Sequence, residues 1–210
     1  MNTDAYIASY LGNVKSIADM LLLDHATIVA IINRLFDAWE DRRPVFILGN
    51  GGSASTASHF AADLAKTIND VPGNRGIRAL TPWDNIPSVS AIVNDRSKAD
   101  CFTAWLDTFY EMGGIGFGIS VHGGSGKDFG GAWSQNLLAG LQYIKDRGGI
   151  TLGFSGFDGG PMKELVDHCV VVPADSTPHV ESFHVVLHHL IAFRLKEMIA
   201  ESMKQCEESD

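Results

Sequence analysis

Two groups of side chains in this 210-residue chain carry the residue types that metal binding or proton transfer requires. The first is His59 and Asp63, which at i, i+4 on a helix stand one turn apart on one face. An imidazole and a carboxylate so placed can share a metal or divide acid and base roles, although an exposed polar pair has the same spacing. The second is a stretch with His179, His184, His188 and His189 beside Glu181. Glu181 and His184 are i, i+3, and His184 and His188 are i, i+4, so each pair can share a helix face. Four histidines in eleven residues exceed what packing needs. They point to a metal or acid–base site, against the alternative of a polar helix at a subunit interface.

A third feature suits an anion. Val45–Leu48 is an apolar run of strand length, as expected for a strand buried on both faces of a parallel sheet. Gly49, Asn50, Gly51 and Gly52 follow, and Ser53 is the expected N-cap of a helix running to about Thr67. Free amides and the helix dipole there favour phosphate, with the hydroxyls of Ser53, Ser55 and Thr56 as extra donors. The loop lacks the Lys-Ser/Thr ending of a nucleotide P-loop and the spacing of a dinucleotide fingerprint. A tight strand-to-helix connection without a ligand is the alternative.

The second glycine-rich loop, residues 120–131, also follows a strand and precedes a helix, expected over about 132–147. Ser120, His122, Ser125 and Lys127 can all address a phosphate from it, unless the loop is simply a flexible surface connection. Parallel sheets bind ligands at the carboxyl ends of their strands, so both loops would open on one crevice.

The elements that must position these groups are legible in outline. Apolar stripes at helical spacing predict helices over residues 5–22 and from a cap at Asp24 through Trp39. Strands are expected at 77–81, 115–120, 151–155 and 169–172, with helical pieces near 88–93, 102–110 and 162–166 and a last helix over 179–203. The repeated strand–helix alternation predicts an α/β fold with a parallel sheet in one domain spanning 1–210. The two leading helices, within residues 1–43, need a surface to pack on, either the sheet or another subunit, so a dimer or tetramer is expected.

Composition excludes several classes. A net charge of −9 argues against a general nucleic-acid surface but permits a local phosphate site. Three scattered cysteines give neither a disulfide framework nor a metal motif. No signal pattern and no membrane-length apolar run are present, so a cytoplasmic protein without a membrane partner is expected.

Across nearly its whole length the chain resembles the sugar isomerase (SIS) domain, and within it the phosphoheptose isomerases. The resemblance lies in the two N-terminal helices, Gly49-Asn50-Gly51-Gly52-Ser53, His59-Phe60-Ala61-Ala62-Asp63, Ala79-Leu80-Thr81, Asn94-Asp95, Asp158-Gly159-Gly160 and Val172-Pro173 through His189. It implies a three-layer sandwich around a five-stranded parallel sheet, with an N-terminal helical pair used in oligomerisation and a long C-terminal helix. It further implies a homotetramer and an aldose–ketose isomerase. Such an enzyme would convert sedoheptulose 7-phosphate to D-glycero-D-manno-heptose 7-phosphate through an enediol. By the same resemblance the substrate contacts are Asn50, Gly51, Gly52, Ser53, Asn94, Asp95, Ser120, His122, Ser125, Lys127, Thr177 and Glu181. One zinc ion per site would be held by His59, Asp63, Glu181 and His189, with Asp63 and His189 as the proton-transfer pair. Three departures stand out: Asp63 in place of the usual Glu, Glu181 in place of the usual Gln, and a longer second loop. Some relatives are non-catalytic tetramers that bind a replication initiator protein, and other SIS domains sense phosphosugars, which is the alternative function.

Overall fold

The computed structural model describes residues 2–124 and 133–207. Helices α1 (Thr3–Leu23) and α2 (Ala26–Glu40) lead into strand β1 (Val45–Gly49) and helix α3 (Gly52–Ala62), which ends in a π-helical turn, Asp63–Thr67. Then come β2 (Ala79–Leu80), α4 (Ile86–Asp95), α5 (Cys101–Phe109), β3 (Ile115–Ile119), α6 (Gln135–Lys145), β4 (Thr151–Ser155), α7 (Gly160–Leu165), β5 (His168–Val171) and α8 (Thr177–Glu207).

The five strands are all parallel in the order β2-β1-β3-β4-β5. The chain leaves β1 for the edge at β2 and returns on the other side as β3, so the order reverses between β1 and β3. That reversal opens a crevice at the carboxyl ends of those two strands, where open α/β sheets bind ligands. Both glycine-rich loops leave from there, as expected.

Alternation along the strands sorts the core into two layers. Val45 and Ile47 of β1, with Ile115, Phe117 and Ile119 of β3, face α2, α3 and α8. Phe46 and Leu48 face α5, α6 and α7. On that second side β3 carries Gly116 and Gly118; a Cβ on either would stand 2.8 Å from Ile144 or Leu141 of α6. The Ile-Gly-Phe-Gly-Ile sequence therefore fills one layer and lets a helix press close on the other.

Several expected boundaries shift for local reasons. Ser53 is not the N-cap: Gly51, at φ +55°, makes the turn and α3 begins at Gly52. Asp24 closes α1, its amide bonded to the Met20 carbonyl, instead of capping α2. The strand expected at 77–81 shrinks to Ala79–Leu80, because the Ile77 amide is bonded to the Leu64 carbonyl. The piece near 88–93 is a full helix whose start is capped by the Asn85 carboxamide accepting from the Ser88 amide. No single described helix is long and apolar enough to cross a membrane.

Where β1 meets α3 the backbone is tightly packed. A Cβ on Gly49 would stand 2.5 Å from the Ser53 carbonyl oxygen, an immovable main-chain atom. Gly49→Ala is therefore expected to cost about 1–3 kcal/mol, the range for overpacking. Urea unfolding measures this, and an unchanged midpoint would refute the close approach.

Candidate active site

The site is built by α3 and α8, which pack against the same face of the sheet. α3 contributes His59, and Asp63 opens the π-helical turn that follows it. Such turns widen the helix by one residue and often mark functional positions. α8 contributes His188 and His189. One ligand atom from each of these four residues lies within 4.8 Å of the others. The Nε2 atoms of His59 and His189 are 3.3 Å apart. Asp63 Oδ2 lies 3.8 Å from His59 Nε2, 3.3 Å from His188 Nδ1 and 3.5 Å from His189 Nε2. The other carboxylate oxygen accepts from the Thr67 hydroxyl at 3.4 Å, one turn further on.

The cluster has a wet side and a dry side. The side chains of His59 and His189 are 50% and 43% exposed, Asp63 15%, and His188 not at all. Burial, with the neighbouring His189 and His59 next, pushes the His188 imidazole down to about 4, so it is neutral at physiological pH. Asp63 Oδ2 and both His188 ring nitrogens are buried without an aligned hydrogen bond, although Oδ2 and Nδ1 are 3.3 Å apart. Buried polar atoms left in this way are costly, and a cation there would satisfy Asp63 Oδ2 and His188 Nδ1. Neutral imidazoles and a carboxylate are also the donor chemistry a zinc-type ion takes. Among the described residues this His/Asp cluster fits a metal ion.

Glu181, expected as a ligand, is not in the cluster. It begins the second turn of α8, and a Cβ on Gly52 would stand 2.5 Å from its Oε1, so its carboxylate lies against the start of α3. There it helps line a cleft with Asn50, Ser53, Ser120, His122 and Ser134. The structure thus brings together Asn50, Ser53, Ser120, His122 and Glu181 beside Gly51 and Gly52, as the two-loop argument requires. The amides of Ala54 and Ser55 bond to the Gly51 carbonyl, which leaves those of Gly52 and Ser53 at the helix start to attract an anion. Thr56 is unsuited as a phosphate donor because its hydroxyl bonds back to the Gly52 carbonyl at 3.3 Å. Ser125 and Lys127 lie outside the described residues.

Other expected contacts are placed further out. Asn94 and Asp95 end α4, exposed and hydrogen-bonded to each other at 2.8 Å, and line no part of the Ser53–Ser120 cleft. Thr177 is exposed at the first residue of α8. His184 faces the core: it is fully buried, and its Nε2 donates to the Ser155 carbonyl at 3.2 Å. His179 ties α8 to α1, stacking on Tyr10 at 4.1 Å and bonding to the Ser176 hydroxyl.

Two participants escape a reading of the sequence. Asn136, at the start of α6, exchanges amide hydrogen bonds of 3.0 and 2.9 Å with Asn50, which fixes the orientation of Asn50 at the cleft. Nothing in residues 86 positions apart announces that pairing. His188 is visible as one of four histidines, but adjacent residues on a helix diverge by about 100°, which argues against His188 and His189 serving one centre.

No family model matches the chain. The chain is 41% identical over 161 residues to the lincomycin biosynthesis protein LmbN of Streptomyces lincolnensis, covering 75% of this chain. It spans only 57% of that relative's length. Over 200 residues it is 30% identical to phosphoheptose isomerase 2 of Campylobacter jejuni, covering 93% of this chain and 94% of that one. Its fold is similar to that of a phosphoheptose isomerase from Francisella tularensis, with a TM-score of 0.83 at 17% identity over 94% of this chain and 100% of the other.

Proposed function

The chain belongs to the phosphoheptose isomerase family, and on that premise we propose that it interconverts sedoheptulose 7-phosphate and D-glycero-D-manno-heptose 7-phosphate. The single observation that supports this is that Asp63 and His189 lie 3.5 Å apart on the two helices, α3 and α8, whose early residues Ser53 and Glu181 line a cleft together with both glycine-rich loops.

The cleft receives the phosphate end of the sugar at the first turn of α3, with the Ser53 and Ser120 hydroxyls as donors. Sugar hydroxyls are held by Asn50, whose carboxamide is fixed by Asn136. Isomerisation requires a base to take the proton alpha to the carbonyl and an acid to serve the oxygens, giving an enediol. His189 and Asp63 hold these two roles. The half-exposed imidazole meets substrate from the solvent side, and the more buried carboxylate lies behind it. Zinc held at this cluster would polarise the carbonyl or hydroxyl oxygens of the sugar. A carboxylate that binds metal is a poorer base, and an imidazole nitrogen that binds metal can neither take nor give a proton, so Asp63 and His189 each hold one role at a time.

The subunits associate into a homo-oligomer, a tetramer by family analogy. What supports this is the apolar face of the leading helices: Ile7, Leu11, Leu22 and Leu23 of α1 and Val29 of α2 are exposed, as are Val186, Leu190 and Phe193 of α8. The half-exposed His59 and His189 beside the Asp63 carboxylate also favour chemistry over a purely scaffolding tetramer, which has no use for them.

The test is conversion of sedoheptulose 7-phosphate by purified protein, with metal content measured on the same sample and the assay repeated with chelator. Stoichiometric zinc with chelator-sensitive turnover is expected. Absence of turnover with this substrate would overturn the proposed reaction. Charge at the cleft gives a second check. Glu181→Gln removes a negative charge beside the phosphate subsite, and KM for the sugar phosphate is expected to fall about fivefold, the effect of about 1 kcal/mol for a solvated charge pair. An unchanged or raised KM would place the phosphate elsewhere.

A further inference from the structure

Taking the metal-assisted isomerase above as given, we infer that His188, and not Glu181, completes the metal shell with His59, Asp63 and His189. The distances carry this. A tetrahedral shell with metal–nitrogen bonds of about 2.0–2.1 Å has donor-to-donor edges of about 3.3 Å. The measured separations are 3.3 Å for His59–His189, 3.3 Å for Asp63–His188, 3.5 Å for Asp63–His189 and 3.8 Å for Asp63–His59. The two remaining edges lie within 4.8 Å. Three donors from two helices, on His59, Asp63 and His189, are therefore spaced much as a metal shell requires, and His188 Nδ1, 3.3 Å from Asp63 Oδ2, stands within reach as the fourth.

Burial points the same way. The His188 side chain has no exposed surface, and the Asp63 carboxylate lies 3.3 Å from its Nδ1, poorly aligned for a hydrogen bond. That oxygen, Asp63 Oδ2, is itself buried and also faces His189 Nε2 at 3.5 Å. A neutral imidazole and a carboxylate, both dry and unaligned for a hydrogen bond to each other, are what two ligands look like around one ion. The ring is also held in place, with its centroid 4.6 Å from that of His59 and 5.6 Å from that of Phe60.

The divergence of adjacent helix residues is no obstacle, because the two rings use different atoms. His188 turns Nδ1 to the carboxylate while His189 reaches it with Nε2. Glu181 has the opposite placement. It lies seven residues before His188, about 10 Å along the helix axis at the usual rise, with its carboxylate against Gly52. Released from the metal, Glu181 lines the substrate cleft and adds its charge there. A set of three imidazoles and one carboxylate selects zinc, cobalt or nickel over magnesium and calcium.

The test uses the full chain stripped of metal and reloaded with zinc or cobalt(II) alone. X-ray absorption of the zinc-loaded wild type is expected to show three imidazoles, and two would overturn the assignment. Titration of cobalt(II), followed by its visible spectrum and by calorimetry, extends this to variants. His188→Phe keeps ring volume beside Phe60 and is expected to weaken binding by at least about 100-fold, beyond what outer-shell losses cause. Glu181→Gln is expected to stay within about threefold, since no bond to the metal is lost. Unchanged affinity in His188→Phe, or lost affinity in Glu181→Gln, would overturn the inference. Failure of the wild type to bind either metal would do so too, while turnover of sedoheptulose 7-phosphate independently decides the isomerase. A three-imidazole centre in a protein that leaves that sugar unchanged would support the ligand set and refute only the substrate.

Discussion

His189→Ala is expected to lower kcat by about 10³-fold, within the range that a positioned general acid or base contributes. The fold should survive this change. His189 is half-exposed on a 31-residue helix, and truncating it opens no cavity in the layer formed by Val180, Phe183, Leu187 and Ile191. Alanine is also the better helix former, so any shift in thermal midpoint is expected to stay within the effect of about 0.5 kcal/mol seen for surface substitutions. The cluster is shared, and that sharpens the experiment. His189 lies 3.3 Å from His59 and 3.5 Å from Asp63, so its removal affects both metal affinity and proton transfer. Turnover measured at saturating metal separates the two. Activity restored by added metal would leave His189 a ligand only, whereas a persistent loss with the site filled assigns it the proton. Unchanged turnover would remove it from the mechanism.

The second large effect is acid destabilisation through His184. Burial holds its imidazole at about 4 in the fold, against 6.5 for the free group. Between those values the unfolded chain binds a proton that the folded chain refuses. Stability is therefore intact above pH 6.5, falls as the pH drops through the window, and reaches its full loss near pH 4. The shift corresponds to about 3 kcal/mol, a large share of the total for a domain of this size. Urea unfolding at steps from pH 7.5 to 4 measures it. Carboxylates contribute their own slope at the acid end, so the informative quantity is the difference from His184→Gln. That variant starts lower, having lost a buried ring and adjusted the bond to the Ser155 carbonyl, but it should fall less steeply from pH 6.5 downward. Parallel pH profiles for the two proteins would show that His184 is free to titrate in the fold.

The histidine helix shows how far spacing reaches. His184 and His188 are i, i+4 and face the same way, yet only one belongs to the cluster. A helix turn separates them by about 6 Å, enough to put one beneath Ser155 at the end of β4 and the other beside Asp63. Periodicity assigns residues to faces, and it does not say which partner each level of a face will meet.

Interactions that are local in the chain were readable from residues alone. An apolar run, a glycine turn and a helix start are covalently consecutive, so the anion-attracting end of α3 follows from the order of residue types. The His59–Asp63 pair follows from helix pitch, and the parallel sheet from strand–helix alternation. Tertiary structure decided whatever depends on how distant elements dock. The strand order that opens the crevice between β1 and β3, the Asn50–Asn136 amide pair, and the rotation of α8 against α3 all join residues that the chain keeps far apart. That rotation is fixed by burying Val180, Phe183, Leu187 and Ile191 against the sheet, and once these are seated the polar positions have no freedom left. Glu181 is delivered to the cleft and His188 to the cluster because the apolar face of α8 determines where its histidines and its carboxylate arrive.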